Sequence, residues 1–224
     1  ILLGLKSLNR LPEYLLLENV KTIKASSNIE DLNQWLEFLS SIGYSSDECM
    51  ILNSLDFGVP QDRERAFIVS HLGEPLSIEL QRPREFHIRD FIKDDYESNH
   101  MYRAEADMAQ LNKTPSRDEM WRINGKEIND DTIIRTITCN MDRTHTAALF
   151  KYKGIKGDTY RRLTLREAFL LMGFTEDEYS SAAGLAFSYR KLNKLIGNSI
   201  VVNVLQAIFQ AMFENKYAKE TDNL

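Results

Sequence analysis

Apolar positions fall into distinct rhythms along the chain. Tyr14–Val20, YLLLENV, is a continuous apolar run that ends in a carboxylate and an amide, and it reads as a buried strand. Leu32, Trp35, Leu36, Leu39 and Ile42 recur at helical spacing, and Gly43 is placed to terminate that helix. A second strand is expected near Glu48–Asn53 and a third through Ala66–Val69. Strand, helix and strand at this spacing predict an α/β sheet.

From about Phe91 to Arg162 the rhythm weakens, and charged residues, Asn and Thr dominate. DTIIRTITCNM, residues 131–141, is a β-rich island, and KYKGIKGDTYRR, residues 151–162, reads as a basic, glycine-broken loop. This stretch is expected to form a smaller inserted domain. Helical order returns at Thr164, where Thr164 and Glu167 have the three-residue spacing of a capping box, repeated by Thr175 and Glu178. A last long helix is expected from Ser199 to about Tyr217. Its apolar face comprises Val201, Val204, Leu205, Ile208, Met212 and Phe213. The apolar stretches near Leu15 and Ile200 are short and interrupted, so no membrane span is expected.

Composition adds boundaries. With 224 residues, 43% hydrophobic and 27% charged, the chain has enough material for one large domain or two modest ones. Cys49 and Cys139 stand far apart, which fits a reducing compartment rather than a disulfide framework. The four histidines lack ligand spacing, so no metal site is expected. The net charge of −5 means that any nucleic-acid surface must be a local basic patch. Ile1 opens inside an apolar run without a starting Met, which leads to the expectation that upstream sequence is missing.

Two further stretches bear on chemistry. In GVPQDRERAFIV, residues 58–69, Arg63 and Arg65 alternate with acids just before a strand. From one side of its entrance, two guanidinium groups can grip carbonyl, carboxylate or phosphate oxygen; the alternative is a salt-bridged strand edge. In LIGNSIVVNVLQAI, residues 195–208, Gly197-Asn198-Ser199 reads as an N-cap before an apolar helix, with free amides that can also face a ligand.

Taken in order, ENV, PQDRER, RLTLREAFLLMGF and GNSIVVNVL resemble motifs of the DNA cytosine-5 methyltransferase family, and the resemblance covers nearly the whole chain. It implies part of a Rossmann-like methyltransferase sheet over residues 1–93. A target-recognition domain, rich in β and irregular structure, would follow at 94–162, then a hinge segment and closing helix at 163–224. The implied reaction moves a methyl group from S-adenosyl-L-methionine to a cytosine flipped out of double-stranded DNA, its reactive carbon being unreachable in the stack.

By the same resemblance Glu18 would act on the cytosine N3, Arg65 would face the charge developing at O2, and Arg63 would support the pocket. A carboxyl group at the end of a buried strand is well placed for this, and partial desolvation would favour its protonated form. Asn198, Ser199 and Ile200 would line the cofactor site. RTITCN resembles the start of a recognition loop, which puts Thr136, Thr138 and Asn140 near DNA. Lys151, Lys153, Lys156, Arg161 and Arg162, with Tyr152 and Tyr160, are candidates for phosphate contact.

The departures are as informative. The family's Phe-x-Gly-x-Gly cofactor loop and Pro-Cys-Gln nucleophile loop are absent, and neither Cys49 nor Cys139 follows a proline. The expectation is therefore a C-terminal portion of such an enzyme, or one subunit of a split one, inactive alone and partnered by a polypeptide carrying the missing half. The expected setting is the cytoplasm, in a bacterial or phage-encoded restriction-modification system. The alternatives are a non-catalytic recognition subunit or degenerate paralogue, and a tRNA cytosine-5 methyltransferase.

Overall fold

The computed structural model describes residues 1–74, 76, 78–82, 85–92, 114–125, 127–141, 148–154, 157–185 and 187–221. In chain order the elements are α1 (Leu2–Ser7), β1 (Tyr14–Val20), α2 (Ile29–Ser41), β2 (Tyr44–Ser46), β3 (Met50–Asn53), β4 (Gln61–Asp62) and β5 (Glu64–Leu72). They continue with α3 (Ile88–Phe91), α4 (Pro115–Asn124), β6 (Ile134–Arg135), β7 (Leu149–Gly154), β8 (Gly157–Arg162), α5 (Leu165–Leu170), α6 (Glu176–Gly184), α7 (Tyr189–Asn198) and α8 (Val202–Thr221). The chain divides into two compact units. One comprises Ile1–Asn53, Glu64–Arg82 and Gln206–Leu224; the other comprises Ser54–Arg63 and Pro83–Leu205. These cuts differ from the sequence segments 1–93, 94–162 and 163–224. Residues 54–63 and all of 163–205 group with the middle of the chain.

In the first unit β5 is the organising strand. It pairs antiparallel with β1 on one edge and with β2 and β3 in succession on the other. Ala66, Phe67, Ile68 and Val69 are fully buried, as the apolar run requires. β1 is only half-buried, and Asn19 and Val20 are exposed, because among the described residues it pairs on one side alone. Helix α2 ends at Gly43, whose φ of 107° is the left-handed conformation that favours glycine. Leu39, Ile42 and Tyr44 form a core joined by Leu2, Leu11, Leu15, Phe38 and Leu72. Trp35, expected on the buried face, remains 39% exposed and leans on Phe38 with ring centroids 5.5 Å apart. The apolar stripe of α2 is wider than the face it buries.

In the second unit β4 runs parallel to β6, and β7 pairs antiparallel with β8 from Leu149↔Arg162 to Gly154↔Gly157. The segment expected as a basic loop, residues 151–162, therefore contains most of β7 and all of β8, with Gly154 and Gly157 facing each other. The β-rich island contributes one short ladder, Ile134–Arg135. All of α5 is buried, and both expected capping boxes form, at Thr164/Glu167 and Thr175/Glu178. Phe169 packs edge-on against Tyr179 at 5.4 Å.

Gly197-Asn198-Ser199, expected to cap the start of a helix, instead closes one. Gly197 and Asn198 are the last residues of α7, and Ser199 is its C-cap with an extended ψ of 159°. The following helix begins at Val202. Tyr189–Phe213 as a whole is long and apolar enough to cross a membrane by length and composition, contrary to the expectation from sequence. Its backbone breaks at Ser199, and Leu192, Ile196, Val201, Val204, Ile208 and Met212 are buried in protein. A break of this kind leaves peptide groups that hydrocarbon cannot satisfy.

Candidate active site

Glu18 lies opposite Phe67 in the β1–β5 ladder, and Val20 lies opposite Arg65. Side chains alternate along a strand, so Glu18 and Arg65 share one face as diagonal neighbours. Arg65 Nε stands 3.2 Å from Glu18 Oε1, and both side chains keep partial access to solvent, at 18% and 27%. The guanidinium is steadied by an Nη1 bond of 2.7 Å to the Glu64 carbonyl oxygen. Glu64 itself is ion-paired with Lys21. Glu18 thus has a cation beside it, where the sequence reading had a partly desolvated carboxyl at the end of a buried strand.

Arg63 has a different situation. It belongs to the second unit, is 4% exposed, and its guanidinium donates to backbone carbonyls: Nη1 to Ile137 O at 2.8 Å and Nη2 to Ser199 O at 2.7 Å. A second, longer contact of Nη2 reaches Gly197 O at 3.4 Å. A cation at the C-terminal end of α7 meets the carbonyls that the helix leaves unpaired.

Sequence reasoning missed Gln61. It is wholly buried, with Nε2 donating to Leu171 O at 2.7 Å and Oε1 accepting from Ile137 N at 3.0 Å. Together with a Pro60 O bond from Ile134 N (2.8 Å) and an Asp62 O bond from the Thr136 hydroxyl (2.8 Å), it fastens residues 134–137. The available signal was a lone amide between Pro60 and Asp62, just ahead of a buried strand.

Of the candidate DNA residues, Thr136 lies on this fastened segment, and Thr138 and Asn140 follow it. Thr136 and Thr138 are half-buried, Asn140 is exposed, and Thr138 Oγ1 accepts from Asn140 N at 3.4 Å. Lys151 is exposed and lies 3.8 Å from Glu127. The side chains of Lys153, Tyr152 and Tyr160 lie outside the described residues, as does Lys156. Arg161 and Arg162 do not serve as exposed phosphate ligands. Arg161 is 0% exposed and forks onto Glu167 at 2.8 and 2.9 Å, while Arg162 is 7% exposed and donates to Met141 O. They occupy consecutive positions of β8, which point to opposite faces of the strand, and both are buried.

Of the candidate cofactor residues, Asn198 presents an exposed amide, which can donate to and accept from a ligand. Ser199 and Ile200 are half-buried, and Ser199 Oγ donates to Ile200 O at 3.1 Å. Gly197 fixes how close this turn comes to the Thr138–Cys139 backbone, since a Cβ there would lie 2.1 Å from Cys139 N. Gly197→Ala should therefore destabilise the chain by about 1–3 kcal/mol through overpacking, although the same change in an open helix stabilises it by about 1 kcal/mol. The urea midpoint measures the sign directly.

The two cysteines lie in separate parts of the chain. Burial pushes the Cys49 thiol up, opposed by Lys24, and Cys139 is half-buried beside Gly197. Among the described residues no cluster of three His, Cys, Asp or Glu could hold a metal ion.

Mixed strands and helices define an α/β fold, the fold of the solved methyltransferases that this chain resembles. The family described as C-5 cytosine-specific DNA methylase matches residues 5–214, and the chain belongs to that family. The Type II methyltransferase M2.ScrFI of Lactococcus lactis subsp. cremoris is 27% identical over 222 residues, covering 92% of this chain and 55% of that protein. The orphan methyltransferase M.SssI of Spiroplasma monobiae is 28% identical over 207 residues, covering 89% and 53%. The chain thus spans about half the length of these curated relatives. In three dimensions it resembles the Entamoeba histolytica methyltransferase EhMeth, with a TM-score of 0.68 at 18% identity, covering 95% of this chain and 68% of that one.

Proposed function

We propose that this chain is part of a DNA (cytosine-5-)-methyltransferase that uses S-adenosyl-L-methionine, acting on a cytosine flipped out of duplex DNA in a bacterial restriction-modification system. The observation that carries the reading is the Glu18–Arg65 pair. A carboxyl and a guanidinium 3.2 Å apart can meet the adjacent N3 and O2 of one pyrimidine edge. When a nucleophile adds to carbon 6, negative charge develops on that edge. Arg65 faces it at O2 and Glu18, as the acid, gives its proton to N3.

S-adenosyl-L-methionine supplies the methyl group when bound. Asn198 would hold it through the exposed amide, while Ser199 and Ile200 shape the turn that Arg63 anchors. Thr136, Thr138, Asn140, Lys151 and Lys153 are assigned to DNA.

The thiolate and the glycine loop are assigned to a further polypeptide segment or partner. The 224-residue chain alone should accordingly transfer no methyl group. Tritium transfer from S-adenosyl-L-methionine to duplex DNA, and in parallel to tRNA, is measured with and without a polypeptide bearing Pro-Cys and glycine loops. Robust transfer by the chain alone overturns the split, and transfer to tRNA alone overturns the DNA assignment.

A further inference from the structure

We infer that the outer face of α7, formed by Arg190, Lys191 and Lys194, is a phosphate-contacting surface for duplex DNA. The inference rests on the DNA reading above, and its evidence is separate from the Glu18–Arg65 pair. No acidic residue occurs between Glu178 and Glu214, and Arg190, Lys191 and Lys194 are the cations in that interval. All three are exposed on α7, whose opposite face buries Leu192, Asn193 and Ile196. Among the described residues none of the three forms an ion pair, in a chain whose net charge is −5. Random surface chemistry in an acidic protein would supply carboxylates nearby; here they are excluded over a long stretch.

The placement of two of these cations is unfavourable for the helix itself. Arg190 and Lys191 sit in the first turn, which has no acidic residue, after the N-cap Ser188. The helix dipole is positive there, so cations weaken the helix and an anion relieves both sources of repulsion. Lys191 is held outward, with Nζ 3.6 Å from the centre of the partly exposed Phe187 ring. The other end of α7 touches the candidate recognition segment within the same unit, because Gly197 abuts the Thr138–Cys139 backbone. A duplex bound along Thr136–Asn140 can therefore extend its phosphates onto this helix. Repeating negative charge is what such a row of unpaired cations fits.

The test is fluorescence anisotropy of a labelled DNA duplex with the 224-residue chain, at salt from about 50 to 200 mM. Replacing Arg190, Lys191 and Lys194 together by Gln should weaken binding and lower the slope of log K against log salt by about 2–3, since each phosphate contact contributes about 0.9. Lys194→Gln alone should lower it by about 1, and serves if the triple variant fails to fold as judged by circular dichroism. Wild-type binding with an unchanged slope in a folded variant overturns the surface and leaves the DNA reading standing. A wild-type chain that shows no salt-dependent duplex binding overturns both. Loss of tRNA binding with duplex binding intact reassigns the face to RNA and overturns the proposal.

Discussion

Glu18→Gln should lower the single-turnover methylation rate of the assembled enzyme by a factor of order 10²–10³, with little change in duplex affinity. The substitution keeps shape and a hydrogen-bonding oxygen, but the amide cannot deliver a proton to the cytosine N3. Arg65→Ala should cost a similar factor by removing the cation facing O2, and should also leave Glu18 without its neighbour at 3.2 Å. Affinity is expected to hold because most of it comes from phosphate contacts elsewhere. Rates and binding isotherms measured side by side separate a chemical role from a strand-ending one. A Glu18→Gln enzyme that methylates at the parental rate would return Glu18 to an ordinary edge-strand carboxylate.

The largest expected effect on stability lies in the second unit. Arg161 and Glu167 are both essentially inaccessible, forked at 2.8 and 2.9 Å, and Glu167 Oε2 also accepts the Thr164 amide of the capping box at 2.8 Å. Glu167→Gln keeps an oxygen for the cap and takes this counter-charge away from the buried guanidinium. Breaking such a pair costs about 3–5 kcal/mol, against total stabilities of about 5–15 kcal/mol. Urea unfolding should show this as a large drop in midpoint. Replacing both residues by Met and Leu should cost less than either single change, because no charge is then stranded. A double variant as unstable as the sum of the single changes would mean that packing against Phe150, rather than charge pairing, is what Arg161 supplies.

What could be read from the sequence was local. The capping boxes need only a hydroxyl and a carboxylate three residues apart, and both formed. The β1 and β5 strands and helix α2 followed from runs and spacings within a dozen residues, ending where Gly43 permits. Membership of the family was legible because four short stretches keep their order over residues 5–214.

Only the tertiary structure decided what each charged side chain meets. Arg63 and Arg65 look equivalent in PQDRER, yet Arg63 reaches carbonyls 74 and 136 residues away, while Arg65 lies beside Glu18 across the ladder. Arg161 and Arg162 read as candidates for phosphate contact in a basic loop, and the fold buries both. Gly197 read as part of a cap until the approach of Cys139 showed why a side chain is excluded there. Backbone preference and periodicity are written in neighbouring residues, so the chain itself determined its elements. The partner of a guanidinium or an amide is chosen by the loss of water on burial, which depends on residues brought together only by the fold.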